Sequence, residues 1–195
     1  MKNLVLDFDG VIGDTFEVLV EAVARFTGVK KDFARKIVLN AGMKNRSYNF
    51  LTNFLGRIYF SRVLKMIQGR EDLLFQKRID EIGDIPNQKA ILTRSDSRVC
   101  KYILGQNQDT FSIILGRNEA STKILGIQKL VEKYGFEKEK IVFVTDTVGD
   151  ILELSKILEL KQIYAVSWGF HSRDLLEKYL PSSQVIDSFY ELNLS

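Results

Sequence analysis

The sequence predicts an α/β fold: a Rossmann-like parallel sheet core with an α-helical cap inserted after the first strand. Three observations predict it. Short apolar runs of strand length stand at 4–6 and near 89–93, 111–115, 140–145, 162–167 and 184–187. From residue 89 onward they alternate with amphipathic helical segments, the pattern of β-α units on a parallel sheet. Residues 15–85 carry helical periodicity instead, and the polar residues suited to chemistry follow directly on the apolar runs, where open α/β sheets keep their sites. The expected division is a core of 1–14 and 86–195 and a cap of 15–85.

The first run, Leu4-Val5-Leu6, ends in Asp7-Phe8-Asp9-Gly10. Side chains at i and i+2 of a strand share a direction, so Asp7 and Asp9 point into one crevice at the strand's carboxyl end. Two such carboxylates repel, and the pairing makes sense if a divalent cation neutralises them or one of them holds a proton. Gly10 lets the backbone turn sharply, and Asp14 stands where a helix cap is expected, ahead of Phe16, Leu19, Val20, Val23 and Phe26.

Helical spacing continues through Phe33, Ile37 and Val38, then Phe50, Leu51, Phe54, Leu55, Ile58 and Tyr59, then Val63, Met66 and Ile67, and finally Leu73, Leu74 and Ile79. Gly28, Gly42 and Gly69 punctuate the bundle. Residues 16–83 hold 13 Lys and Arg against 7 Asp and Glu, whereas the rest of the chain holds 15 against 18. A basic lid over an acidic core attracts a phosphorylated small molecule, with Lys44, Arg46, Arg57 and Arg62 as the cap residues to watch. The pI of about 8.9 permits nucleic acid as a partner, but the basic residues are scattered through helices, which argues for solvated faces instead.

Ala90-Ile91-Leu92-Thr93-Arg94-Ser95 is a strand ending in a hydroxyl that can donate to a phosphate oxygen or simply shape a turn. Ser112-Ile113-Ile114-Leu115-Gly116 is another strand, followed by Ser121-Thr122-Lys123 at the head of a helix. Lys123 there can neutralise a phosphate or a carboxylate, or be one more solvated lysine. Lys140 to Ile151 is a buried strand running into Asp146, with Asp150 in the first turn of the next helix. Hard oxygen ligands beside Asp7 and Asp9 suit Mg²⁺, and Asp150 also suits the positive end of its helix.

An Asp-x-Asp strand end, a Thr strand end, a helix opening on Lys and an Asp-x-x-x-Asp strand end, in that order, resemble the haloacid dehalogenase superfamily along the whole chain. The helical insertion and the tail, Val166-Ser167-Trp168-Gly169-Phe170-His171 and Val185 to Phe189, resemble its phosphoglycolate phosphatase-like branch. The resemblance implies Asp7 as nucleophile and Asp9 as general acid and base. It implies Thr93 on a phosphate oxygen, Lys123 between Asp7 and the phosphate, and Mg²⁺ held by Asp7, Asp9 through its carbonyl, Asp146 and Asp150. Val11 replaces a common threonine, Thr145 a common glycine, and Arg94 after the motif threonine either adds charge near the phosphate or faces water.

The implied reaction is hydrolysis of a small phosphate ester through an aspartyl-phosphate, with Mg²⁺ and Lys123 screening the approach of two anions. Asp9 in this scheme gives a proton to the leaving oxygen and then takes one from the attacking water. A phosphosugar mutase using the same Asp pair is an alternative. A non-catalytic phosphoacceptor module is a more distant one, because such modules carry the accepting Asp on a later strand and lack a long insertion after the first.

Composition sets the remaining bounds. At 195 residues and 45% hydrophobic, the chain can bury one substantial core. Cys100 has no partner for an internal disulfide and reads as a buried thiol in a reducing cytoplasm. The apolar start is too short for a secretory leader, and no run approaches the ~20 residues of a membrane helix. His171, the only histidine, reads as a loop or cap residue and Trp168 as a packing residue. The particular ester and the oligomeric state stay open.

Overall fold

The computed structural model of the chain describes residues 2–43 and 64–194. Lys44, Arg46, Arg57 and Arg62, with the apolar positions between Phe50 and Val63, lie outside the described residues. Within them the order is β1 (Asn3–Leu6), α1 (Phe16–Thr27), α2 (Lys31–Gly42), α3 (Gln76–Gly83), β2 (Lys89–Leu92), α4 (Ser97–Leu104), β3 (Ile113–Leu115), α5 (Lys123–Tyr134), β4 (Ile141–Thr145), α6 (Val148–Leu154), β5 (Ile163–Val166), α7 (Arg173–Leu176) and β6 (Val185–Ile186). The strands fall where the apolar runs placed them, β2 to β6 a residue or two shorter and β1 one residue longer.

All six strands form one parallel sheet in the order β3-β2-β1-β4-β5-β6. β1 is central, with Leu4 opposite both Lys89 of β2 and Val142 of β4. Its side chains alternate between two fully buried layers, which explains the unbroken apolar run. Leu4 and Leu6 join Ile91, Val142, Val144, Tyr164 and Val166 on one face. Val5 joins Leu92, Phe143, Ile163 and Ala165 on the other. Each buried aliphatic side chain of this kind stabilises the fold by about 1.5–3 kcal/mol.

Helices α5, α6 and α7 close the second face through Ile127, Leu130, Ile151, Leu154 and Leu176. The first is closed by α4, with Cys100 and Leu104, and by α3, with Ile79 and Ile82. At α5 the approach is so close that a Cβ on Gly126 would lie 2.2 Å from Leu92 Cδ1. Helix α3 is further tied to the core by Glu81, whose Oε2 accepts from the Ser188 hydroxyl and the Phe189 amide.

The helices α1 and α2 pack on each other through Val20, Ala34 and Val38. The segment that begins with α1 is tied to the loop after β1 where Asp14 N–H donates to Leu73 O and Phe75 N–H to Ile12 O, both at 2.9 Å. Asp14 does not cap α1. The flanking residue is Thr15, and its hydroxyl donates to Asp9.

Candidate active site

The order of the strands places the reversal of the winding direction between β1 and β4, and a crevice opens at the carboxyl ends of such a pair. Asp7 and Asp9 follow β1, Asp146 follows β4, Thr93 follows β2, and Lys123 opens α5 after β3. Residues far apart in sequence are brought to one edge because every strand runs the same way.

Asp7 is buried, and its two oxygens are engaged differently. Oδ1 accepts from the Phe8 amide at 2.7 Å, while Oδ2 lies 2.9 Å from Lys123 Nζ. Burial pushes the Asp7 carboxyl up to about 7, with Lys123 pulling against it and Asp150 adding to it. Lys123 is 1% exposed. Its ammonium also reaches Asp150 Oδ2 at 3.3 Å and the Leu92 carbonyl. Burial works against that charge, but Asp150 and then Asp7 outweigh it, and the lysine pKa rises above its usual value.

Asp9 sits in a cradle of hydroxyls. Thr15 donates to Oδ1 at 2.7 Å, and Ser95 and Thr93 donate to Oδ2 at 2.5 and 3.4 Å. Ser95, two residues beyond Thr93, is a contributor that the sequence reading passed over, although a hydroxyl pair at i and i+2 was its signal. Cys100 lies beneath the site, fully buried, its thiol pushed up by burial first and then by Asp9 and Asp7.

Asp146 is the acid best disposed to hold a cation. It is 1% exposed. Oδ2 accepts from the Phe170 amide at 2.8 Å, but among the described residues Oδ1 is the buried side-chain oxygen with no hydrogen-bond partner. Burial, and next the charge of Asp7, push its carboxyl well above the usual range. Two glycines wall it in. A Cβ on Gly10 would lie 2.0 Å from Asp146 Oδ2, and one on Gly169 would lie 2.2 Å from Asp146 Cβ. Gly10 also has φ +76°, a backbone conformation that favours glycine.

Of the four acids expected around the metal, Asp7 and Asp146 follow the paired strands β1 and β4, Asp9 is expected through its carbonyl, and Asp150 has its carboxylate joined to Lys123, Arg94 and Thr145. Among the described residues no three His, Cys, Asp or Glu side chains gather as a metal cluster. Two carboxylates with the Asp9 carbonyl still fit Mg²⁺, which keeps several waters and needs one or two carboxylates, and the unpartnered Asp146 oxygen fits a cation.

Asp150 belongs to a network of ion pairs. Its Oδ2 accepts from Thr145 Oγ1 at 3.1 Å, and its Oδ1 lies 2.9 Å from Arg94 Nη2. The same Arg94 nitrogen lies 2.6 Å from Glu153 Oε2. Burial acts upward on Asp150, but Lys123 and Arg94 outweigh it and hold the carboxyl at about 2. Glu153 is 1% exposed and also accepts from the Ile124 amide at 3.2 Å, tying α6 to the start of α5. The sequence reading missed Glu153, whose signal is its i+3 spacing from Asp150 on one helix face. Arg94, expected near the substrate, is joined to these two α6 acids.

His171 is buried between layers. Nδ1 accepts from the Val148 amide at 3.0 Å, capping α6, and Nε2 lies 3.2 Å from the Leu39 carbonyl of α2. Trp168 packs edge-on to Phe189 at 5.5 Å, and its Nε1–H donates to the Val11 carbonyl.

No protein-family model matches the chain, and no curated protein sequence does. Solved structures do match. A haloacid dehalogenase-like family hydrolase from Streptococcus pneumoniae superposes with a TM-score of 0.70 at 20% identity, over 93% of this chain and 91% of that one. A candidate phosphoglycolate phosphatase from Lactobacillus delbrueckii subsp. bulgaricus gives 0.67 at 20% identity, over 100% and 99%. CbbY from Rhodobacter sphaeroides, an aspartate-to-asparagine variant in complex with xylulose 1,5-bisphosphate, gives 0.69 at 16% identity, over 99% and 97%. These are likenesses of fold, and the fold this chain carries is that of the haloacid dehalogenase-like hydrolases.

Proposed function

We propose that the chain is a Mg²⁺-dependent phosphatase acting on a small phosphorylated metabolite in the cytoplasm, with residues 15–85 as its cap. The observation that carries the reading is the buried Asp7 carboxylate paired with Lys123 at 2.9 Å, two residues before an Asp9 held by three hydroxyls. The fold neighbours, one of them bound to a sugar bisphosphate, support the same chemistry.

Asp7 Oδ attacks phosphorus, the ester P–O bond breaks, and Asp9 gives its proton to the departing alcohol oxygen. Asp9 then takes a proton from the water that attacks the aspartyl-phosphate, releasing inorganic phosphate and restoring Asp7. Lys123 balances the charge of nucleophile and phosphoryl oxygens, and the Thr93 hydroxyl donates to one of those oxygens. Asp7, Asp146 and the Asp9 carbonyl would hold Mg²⁺, which would supply further screening of the phosphoryl charge.

The test is phosphate release from a panel of small phosphate esters with and without Mg²⁺, beside Asp7→Asn. Release that needs Mg²⁺ and disappears in the variant supports the reading. Isomerisation of a sugar phosphate without release turns it to a mutase, and no turnover of either kind by folded protein overturns it.

A further inference from the structure

We infer that Ser95 is a positioning residue for the proton transfers of Asp9, holding that carboxyl for the leaving oxygen while Thr93, two residues earlier, serves the phosphoryl group; this rests on the phosphatase reading. Both hydroxyls reach Asp9 Oδ2, but unequally: Ser95 Oγ lies at 2.5 Å and Thr93 Oγ1 at 3.4 Å. Hydroxyl bonds to a carboxylate are made at about 2.5–2.7 Å, so Ser95 grips that oxygen and Thr93 barely does. Thr93 Oγ1 is instead aimed by the Ser95 amide, which donates to it at 3.1 Å and leaves the Thr93 proton for a phosphoryl oxygen. Thr15, 4% exposed, holds Oδ1 at 2.7 Å. Each Asp9 oxygen thus has one firm hydroxyl, and turning the carboxyl breaks both bonds.

A residue positions another only if it is itself held. The Ser95 amide is spent on Thr93, its carbonyl accepts from the Arg117 amide at 3.0 Å, and a Cβ on Gly116 would lie 2.5 Å from that carbonyl oxygen. Directly after it Asp96 caps α4, accepting from the Arg98 amide at 3.0 Å. The chain is therefore fixed on both sides of the hydroxyl. A hydroxyl also suits a group that works in two protonation states. It donates to the carboxylate and, turned about its C–O bond, accepts from the acid, whereas an amide only donates. In the first step the alcohol oxygen keeps the P–O electron pair and takes the Asp9 proton, and the carboxylate left behind regains the Ser95 donor. In the second, the attacking water gives its proton to Asp9 as its oxygen bonds to phosphorus and Asp7 is released, and the hydroxyl turns back.

The test measures kcat/KM of the full chain with Mg²⁺ on β-glycerol phosphate and p-nitrophenyl phosphate, in the parent, Ser95→Ala and Ser95→Thr. p-Nitrophenolate departs without a proton, whereas an alkoxide needs one, so a misplaced Asp9 slows the alkyl ester selectively in the step that kcat/KM reports. Ser95→Ala is expected to lower the ratio of kcat/KM for the alkyl over the aryl ester by about 10- to 100-fold, and Ser95→Thr, which keeps the hydroxyl, to restore most of it. Equal losses on the two esters make the hydroxyl a contact to the phosphoryl group or a support of the fold, and overturn the inference while the phosphatase reading stands. An effect on neither ester overturns it as well. Release by the folded parent from neither ester, nor from any other of the panel, overturns the phosphatase reading and the inference with it.

Discussion

Lys123 and Asp7 form an ion pair at 2.9 Å with side chains 1% and 9% exposed, so each supports the other where water cannot. Removing one partner of such a pair leaves a buried charge uncompensated, at a cost of about 3–5 kcal/mol. Lys123→Met, which keeps the length and loses the charge, is expected to lower phosphate release by a factor of about 100–1000. Urea unfolding at pH 8 is expected to show a loss of about 3 kcal/mol, smaller at pH 5, where Asp7 takes up a proton. An equal loss at both pH values contradicts the account.

Two of the buried acids, Asp7 and Asp146, make stability depend on pH in a direction opposite to that of ordinary ion pairs. Asp7 is raised from 3.8 to about 7, so between those values the folded chain holds a proton that the unfolded chain has released. Its contribution is present below about pH 4 and is lost as the pH rises through 7, and the raised Asp146 acts in the same sense. In EDTA the melting temperature is therefore expected to fall between pH 5 and 8, and millimolar Mg²⁺ to flatten that fall. A melting curve indifferent to Mg²⁺ at pH 8 speaks against a metal on Asp146.

Gly126 tests close packing against helix propensity. Alanine gains about 1 kcal/mol in a helix interior. Its Cβ, however, would stand 2.2 and 2.8 Å from the two Leu92 methyl carbons, overpacking that costs about 1–3 kcal/mol. The clash outweighs the propensity, and Gly126→Ala is expected to be the less stable protein in denaturant unfolding.

His171 joins α6 to α2 only while neutral, because Nδ1 must accept from Val148. Burial lowers its pKa below 6.5, so its contribution is present above pH 6.5 and is lost as the pH falls through the lowered value. His171→Ala is expected to lose about 1–3 kcal/mol at pH 7.5 and to erase the part of the pH dependence that lies below 6.5. A difference between parent and variant that does not shrink on acidification refutes the role.

Arg94 separates two roles by kinetics. Held by Asp150 and Glu153, it braces α6, and Arg94→Gln is expected to cost about 1.5–3 kcal/mol of stability while KM stays within about twofold. A KM rise of tenfold or more would place the guanidinium on the substrate phosphate.

Most of the scaffold was legible because it is written in short-range pattern. Leu4-Val5-Leu6 and Ile141 to Thr145 read as strands without reference to anything distant, and a residue that follows a parallel strand is placed at the functional edge by that fact alone. Partnerships were less legible. Asp150 as a partner of Arg94 depends on where α6 lies against the end of β2, and the reach of His171 to Leu39 joins residues 132 apart in sequence. The helical spacing of Leu73, Leu74 and Ile79 announced an apolar face but not its destination, which for Leu74 and Ile79 is the sheet. Asp14 has the chemistry of a helix cap, yet Thr15 occupies the flanking position and turns its hydroxyl to Asp9 instead.

The central place of β1 has a kinetic side. Leu4 is held by Lys89 on one flank and by Val142 on the other, so the strand that carries Asp7 is made before the other five strands of the sheet and is enclosed only when β4 arrives. At ordinary synthesis rates it waits on the order of ten seconds for β4 to emerge. Until then its second edge is unpaired and Asp7 has no Asp146 across from it. An interrupted chain of this design is thus an inert one, at the expense of slow, long-range closure and an adhesive strand during the wait.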